Sequence, residues 1–258
     1  MNLLTLKQKI GLTFFKIKKN FELFDRIKKN SLCKKKELSS DLSKFISQGY
    51  LIKEKLLNDE DVNYILNHYI NIDHIDDGDS FDYNLIIPFF NKKIINKILE
   101  SELCENLDKF FKLTTKANFH FQTVPYIVIT KPLSDQDTID GKSAKIPVNY
   151  HTDFPFEITL QVPLLDLDLK SPHTLYFEKT NRSIFFRSTS VYKEEKLSKF
   201  KKINLIGKKG DGILIDTQGV HRANVYKNSI RIMLFIKFSN SKNIITNTNH
   251  KNLYEKLK

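Results

Sequence analysis

Apolar positions follow a helical spacing in the first part of the chain and alternate in the last part. Leu3, Leu6, Ile10, Phe14, Ile17, Phe21, Phe24 and Ile27 recur three or four residues apart with lysines between them, the stripe of an amphipathic helix. Asn58-Asp59 opens a second helix through Tyr64, Ile65 and His68, with one of the two polar residues as its cap. Residues 91–113 read as one further helix, with Ile94, Ile95, Ile98, Leu99, Leu103 and Leu107 on one side. From about residue 117 the period changes. Phe119 to Thr130 is rich in aromatic and β-branched residues, a strand signal. Phe156, Ile158, Leu160 and Val162 alternate with Glu157, Thr159 and Gln161, which predicts a half-buried strand. Further strands are expected at Thr174–Glu178, Ile184–Arg187, Gly212–Asp216 and Ile230–Phe238, punctuated by Gly, Pro and Asn. The pattern predicts a mainly β fold with α: a helical part over 41–116, a β-sandwich or barrel core over 117–240, and a tail over 241–258.

Length changes that picture little, because 258 residues suit one domain, here 41–258, preceded by a separate basic segment. Charge changes it more. Residues 1–40 hold 11 Lys and Arg against 3 Asp and Glu, a net +8 of the chain's +12. The basic character is local, which argues against a nucleic-acid enzyme with a basic channel. It fits a helix packed on the domain with a solvated face, a peripheral membrane contact, or a targeting segment. Cys33 and Cys104 form no CxxC pair, so a reducing compartment is expected, cytoplasmic or at a membrane surface. No apolar run reaches the roughly 18 residues of a membrane span. Oligomeric state is not legible.

The chemistry concentrates in Tyr150-His151-Thr152-Asp153. In an extended segment residues i and i+2 point to one side, so His151 and Asp153 can present an imidazole nitrogen and a carboxylate oxygen to one point. His221 would complete a two-histidine, one-carboxylate face, an arrangement typical of non-haem iron(II) sites with open coordination positions. An HxD triplet alone is weak evidence, since a hydrogen-bonded turn explains most of them. A second one, His74-Ile75-Asp76, runs into Asp77-Gly78-Asp79 and reads as a solvated acidic loop or a lid. His120 reads as a satisfied core or surface histidine, with a place facing the pocket as the alternative, and His173 has the pocket mouth as its functional alternative. Ten residues after His221, Arg231 stands in the apolar run Ile230 to Ile236. A buried guanidinium there requires a carboxylate partner, from a salt bridge or from a ligand.

Together these residues resemble a known family. His151-x-Asp153, then 70 residues to His221, then Arg231, is similar to the phytanoyl-CoA dioxygenase-like branch of the Fe(II)- and 2-oxoglutarate-dependent oxygenases. Ser171 to Glu178 and the turn Gly210-Asp211-Gly212 add to the resemblance, which covers roughly residues 117–240. It implies a double-stranded β-helix, the cupin-like jelly-roll, and a requirement for Fe(II), 2-oxoglutarate and O2. It implies His151, Asp153 and His221 as iron ligands, and Arg231 on the far carboxylate of 2-oxoglutarate with Ser229 assisting. Ala223 stands where the family often has a hydroxyl residue. A further polar contact is left among Gln122, Tyr126, Thr130 and Lys131. Related halogenases carry a small residue in place of the carboxylate ligand, so Asp153 implies hydroxylation or desaturation, with release of succinate and CO2. The substrate is expected to be a small molecule or of lipid or glycan type, and anionic if the basic segment serves it. Two other classes stay open: a cupin-like metalloenzyme without 2-oxoglutarate, against which Arg231 speaks, and a non-catalytic β-domain that binds a partner.

Overall fold

The computed structural model describes residues 39–70, 84–115, 118–130, 149–153, 157–183, 186, 191–224 and 229–240. The basic stripe before residue 39, the His74–Asp76 triplet, Lys131 and the tail 241–258 lie outside them.

Among the described residues, four α-helices precede the β-core. α1 (Ser40–Gln48) starts where Ser39 accepts a hydrogen bond from the Leu42 amide and ends at Gly49 in the left-handed region. α2 (Asp59–Tyr69) carries a full capping box between Asn58 and Asp61, a device that stabilises a helix start by about 1 kcal/mol. The single helix predicted over 91–113 is two, α3 (Lys92–Leu99) and α4 (Glu102–Thr115). Ser101 breaks it: its hydroxyl donates to the Ile98 carbonyl at 2.6 Å, and its own carbonyl receives the amides of Cys104 and Glu105. Ile94, Ile95 and Ile98 of α3 and Leu103, Leu107, Phe110 and Phe111 of α4 are all buried in one core.

Among the described residues, twelve strands form two antiparallel sheets. β1 (Tyr50–Lys53) and β2 (Asn84–Pro88) lie in the part read as helical, and both join the larger sheet. Their few residues carry no period long enough to separate them from their helical neighbours. The larger sheet is completed by β3 (His120–Phe121), β4 (Tyr126–Thr130), β6 (Ile158–Pro163), β10 (Gly212–Asp216) and β12 (Arg231–Ser239), in the order β1-β10-β6-β12-β4-β2 with β3 also on β12. The second sheet contains β5 (Tyr150–His151), β7 (His173–Phe177), β8 (Val191–Tyr192), β9 (Lys202–Leu205) and β11 (His221–Asn224), ordered β8-β5-β11-β7-β9. This is the expected double-stranded β-helix. Of the strand predicted at 184–187, only Phe186 is described, and it lies in a bend.

The alternation of β6 predicted a half-buried strand, yet all six of its residues are buried. Ile158, Leu160 and Val162 pack under the helices in the main core, and the intervening Thr159 and Gln161 face a cavity between the sheets. Helices on one side and a second sheet on the other leave no face of β6 to water. β12 follows the same rule. Ile232, Leu234, Ile236 and Phe238 meet the helices, while Met233 and Phe235 face the second sheet. The turn before β10 is tied down by Asp211, whose carboxylate accepts from the amides of Lys55 and Lys208. Gly210 has φ 84°, and a side chain there would run into the Leu57 carbonyl. Among the described residues, no helix is long and apolar enough to cross a membrane.

Candidate metal centre

β5 and β11 are neighbours in the smaller sheet, and their register sets His151 directly opposite His221. The two imidazole rings lie 4.4 Å apart. Asp153 follows β5 by two residues and is fixed by its own amide, which donates to the Thr217 carbonyl at 2.9 Å. Its carboxylate oxygens stand 3.7 Å from His151 Nε2 and 3.6 Å from His221 Nε2. One ligand atom from each of the three residues lies within 4.8 Å of the others, close enough to surround a single ion.

The outer contacts of the imidazoles favour that use. His151 Nδ1 meets the Asn149 carbonyl at 2.8 Å and His221 Nδ1 meets the Gly219 carbonyl at 2.9 Å. Each Nδ1 therefore carries the proton, and each Nε2 keeps its lone pair toward the shared point. Burial pushes His221 down to about 4, opposed by the neighbouring carboxylate of Asp153 and assisted by His151. A histidine held neutral in the fold makes acid destabilising, because the unfolded chain takes up the proton first. The metal-free protein is expected to lose stability as pH falls from about 6.5 toward 4, by at most about 3 kcal/mol from this group. Melting curves of wild type and His221→Gln across that range check it; equal slopes would contradict it.

The loop that delivers His221 has no room for a side chain at Gly219. A Cβ there would sit 1.8 Å from the Tyr176 hydroxyl, which donates to the Asp216 carbonyl. Gly219→Ala must therefore displace the carbonyl that orients His221. We expect metal affinity to fall on the order of 10- to 100-fold, the usual cost of losing an outer contact, measured by isothermal titration with Ni(II).

A cavity of about 500 Å³ opens beside the three ligands, between the sheets. Arg231 reaches it from the first position of β12 and is only 5% exposed. Its guanidinium donates twice to Thr130 Oγ1, at 3.1 and 3.3 Å, and has no acidic partner among the described residues. Burial lowers its pKa to about 10, so it stays a cation. A buried cation with donors to spare beside a metal-ligand set is suited to the carboxylate of a bound molecule.

The other sequence candidates fall in different places. Ser229 lies outside the cavity lining, and its buried hydroxyl lacks a hydrogen-bond partner among the described residues. Gln122 also lies outside the lining; it donates to Glu157 at 2.9 Å. Tyr126 lines the cavity, and Thr130 serves Arg231. His173 is fully buried on β7, bonded to the Ser171 carbonyl and to Asn204. Sequence reasoning missed Lys237, Phe235, Thr159, Gln161 and Thr217 in the cavity wall. Alternation along β12 places 231, 233, 235 and 237 on one face, a signal present once Arg231 was fixed.

No family model matches the chain, and no curated protein is similar to it in sequence. Similarity appears among solved structures. HygX from Streptomyces hygroscopicus, with nickel, 2-oxoglutarate and hygromycin B bound, aligns with a TM-score of 0.55 at 11% identity, over 80% of this chain and 88% of its own. The non-haem α-ketoglutarate-dependent epimerase SnoN from nogalamycin biosynthesis aligns at 0.53 and 11%, over 78% and 82%. EctD from S. alaskensis, in its apo form, aligns at 0.52 and 11%, over 79% and 77%. At these identities the likeness is one of fold.

Proposed function

We propose that the chain is an Fe(II)- and 2-oxoglutarate-dependent oxygenase acting on a small-molecule substrate, a hydroxylase most similar in motif order to the phytanoyl-CoA dioxygenase-like branch. One observation carries the reading: a two-histidine, one-carboxylate ligand set and a buried arginine with no acidic partner among the described residues share a single cavity. The fold neighbours HygX, with nickel and 2-oxoglutarate bound, and SnoN, described as α-ketoglutarate-dependent, support it.

His151, Asp153 and His221 would hold the iron at the cavity wall. Bound there, iron with 2-oxoglutarate supplies the activation of O2 that oxidises a substrate C–H bond, releasing succinate and CO2. The chain's own residues position and enclose. Arg231 would hold the distal carboxylate of 2-oxoglutarate, and Thr130 accepts two hydrogen bonds from the guanidinium and so fixes its position. Phe235 lies against that cation, 6.0 Å from its centre, and shields it from water. Asn149 and Gly219 fix the imidazoles through their carbonyls. A cupin-like enzyme without 2-oxoglutarate would leave Arg231 without a role, and a binding module would leave the ligand set without one.

Succinate release tests the reading. With Fe(II), 2-oxoglutarate and air, the protein is expected to produce succinate slowly alone and faster with extracts of small metabolites. Omission of iron should stop it. Succinate formation at the same rate without added iron, in the presence of a chelator, would reject the proposal.

A further inference from the structure

β12 brings a second cation to the cavity. Lys237 shares the inward face of the strand with Arg231, six residues away, so their Cα positions stand roughly 20 Å apart. The two cations therefore meet the cavity at different points along its wall. Lys237 Nζ bonds Glu157 at 2.9 Å, and Glu157 takes a second hydrogen bond from Gln122. The two partners face different surroundings. The Glu157 side chain keeps 5% exposure and does not line the cavity; the Lys237 side chain keeps 28% and does. Glu157 thus holds the ammonium from the wall, and Lys237 has no other hydrogen-bond partner among the described residues. Burial by itself would lower the lysine's pKa, but Glu157, with Tyr126 and the more distant Asp153, more than reverses this and raises it. The phenol of Tyr126, also on the cavity wall, is kept protonated chiefly by burial. Tyr126 stacks flat on Phe235, 5.6 Å apart, as an apolar floor between the two cations. An ion pair buried in this way gives little net stability, because desolvation offsets the attraction.

We propose that Lys237, with Tyr126 beside it, is the anchor for an anionic group on the primary substrate, a carboxylate or a phosphate monoester, bound at the end of the cavity away from Arg231. The proposal rests on the oxygenase reading for the word substrate and on the cavity alone for the anion. Arg222 also lines the cavity; its guanidinium lies over the Tyr150 ring at 4.4 Å and its Nε has no hydrogen-bond partner among the described residues, so the Lys237 variant is what separates the two cations.

The test uses the whole chain with Ni(II) and saturating 2-oxoglutarate, and matched probes: hexanoate against hexanamide, and hexyl phosphate against hexanol, read by saturation-transfer NMR. At least one anion is expected to bind on the order of tenfold more tightly than its neutral counterpart, and the two arms tell carboxylate from phosphate. Lys237→Met should abolish the preference, while Glu157→Gln, which leaves the cation in place, should keep or strengthen it. If Lys237→Met strands Glu157 and fails to fold, Lys237→Met combined with Glu157→Gln takes its place. Equal binding within both pairs by wild type, or a preference that survives loss of Lys237, overturns the proposal. Failure of the oxygenase reading shows separately, as failure to bind Ni(II) and 2-oxoglutarate; the probe pairs on the metal-free protein then still decide whether Lys237 receives anions.

Discussion

Asp153→Ala is expected to abolish succinate production and to weaken metal binding at least about 100-fold, more than the loss of any outer contact. The carboxylate is the one anionic ligand and the only oxygen donor of the three, and it stands within 3.7 Å of both ligand nitrogens. Without it two neutral imidazoles remain, and the site loses the negative charge that this ligand set brings to the ion. The fold should survive. The Asp153 side chain is 29% exposed, and the bond from its amide to Thr217 belongs to the backbone. Circular dichroism and calorimetric Ni(II) titration of the same preparation separate the two effects. An Asp153→Ala protein that still binds metal tightly would remove the carboxylate from the centre.

Arg231→Met is expected to raise the 2-oxoglutarate concentration needed for half-maximal turnover by about 10- to 150-fold, the range for one hydrogen-bonded charge contact. Methionine fills the volume and leaves Thr130 able to find another donor, so the strand pairing of Arg231 with Thr130 should persist. Metal affinity in the absence of 2-oxoglutarate should not change, since Arg231 contacts none of the three ligands. Arg231→Lys should fall between, having charge but no fork. An unchanged 2-oxoglutarate requirement in Arg231→Met would refute the assigned role.

Much of this is legible in the sequence. Gly212–Asp216 was placed to the residue because a turn with two glycines sets its start. His151 and Asp153 were linked by the two-residue period of an extended chain, and the fold carries that geometry through although β5 spans only two residues. Long-range facts were harder. Nothing local in the sequence states that β5 and β11 lie side by side, yet that register alone opposes His151 to His221. The reading of β6 as half-buried failed because polar residues that line an internal cavity look the same in sequence as residues facing solvent. Lys237 escaped for a similar reason: a lysine near the end of an apolar strand reads as a surface residue until Glu157 and Gln122, 80 and 115 positions earlier, are seen behind it.

The most direct measurement is anaerobic titration of the metal-free protein with Fe(II) and then 2-oxoglutarate, followed by visible absorption. Chelation of the keto acid by an iron held between His151, Asp153 and His221 should produce a weak metal-to-ligand charge-transfer band, saturating at one equivalent of iron and absent in Asp153→Ala. Iron that binds without any such band at saturating 2-oxoglutarate would contradict the account.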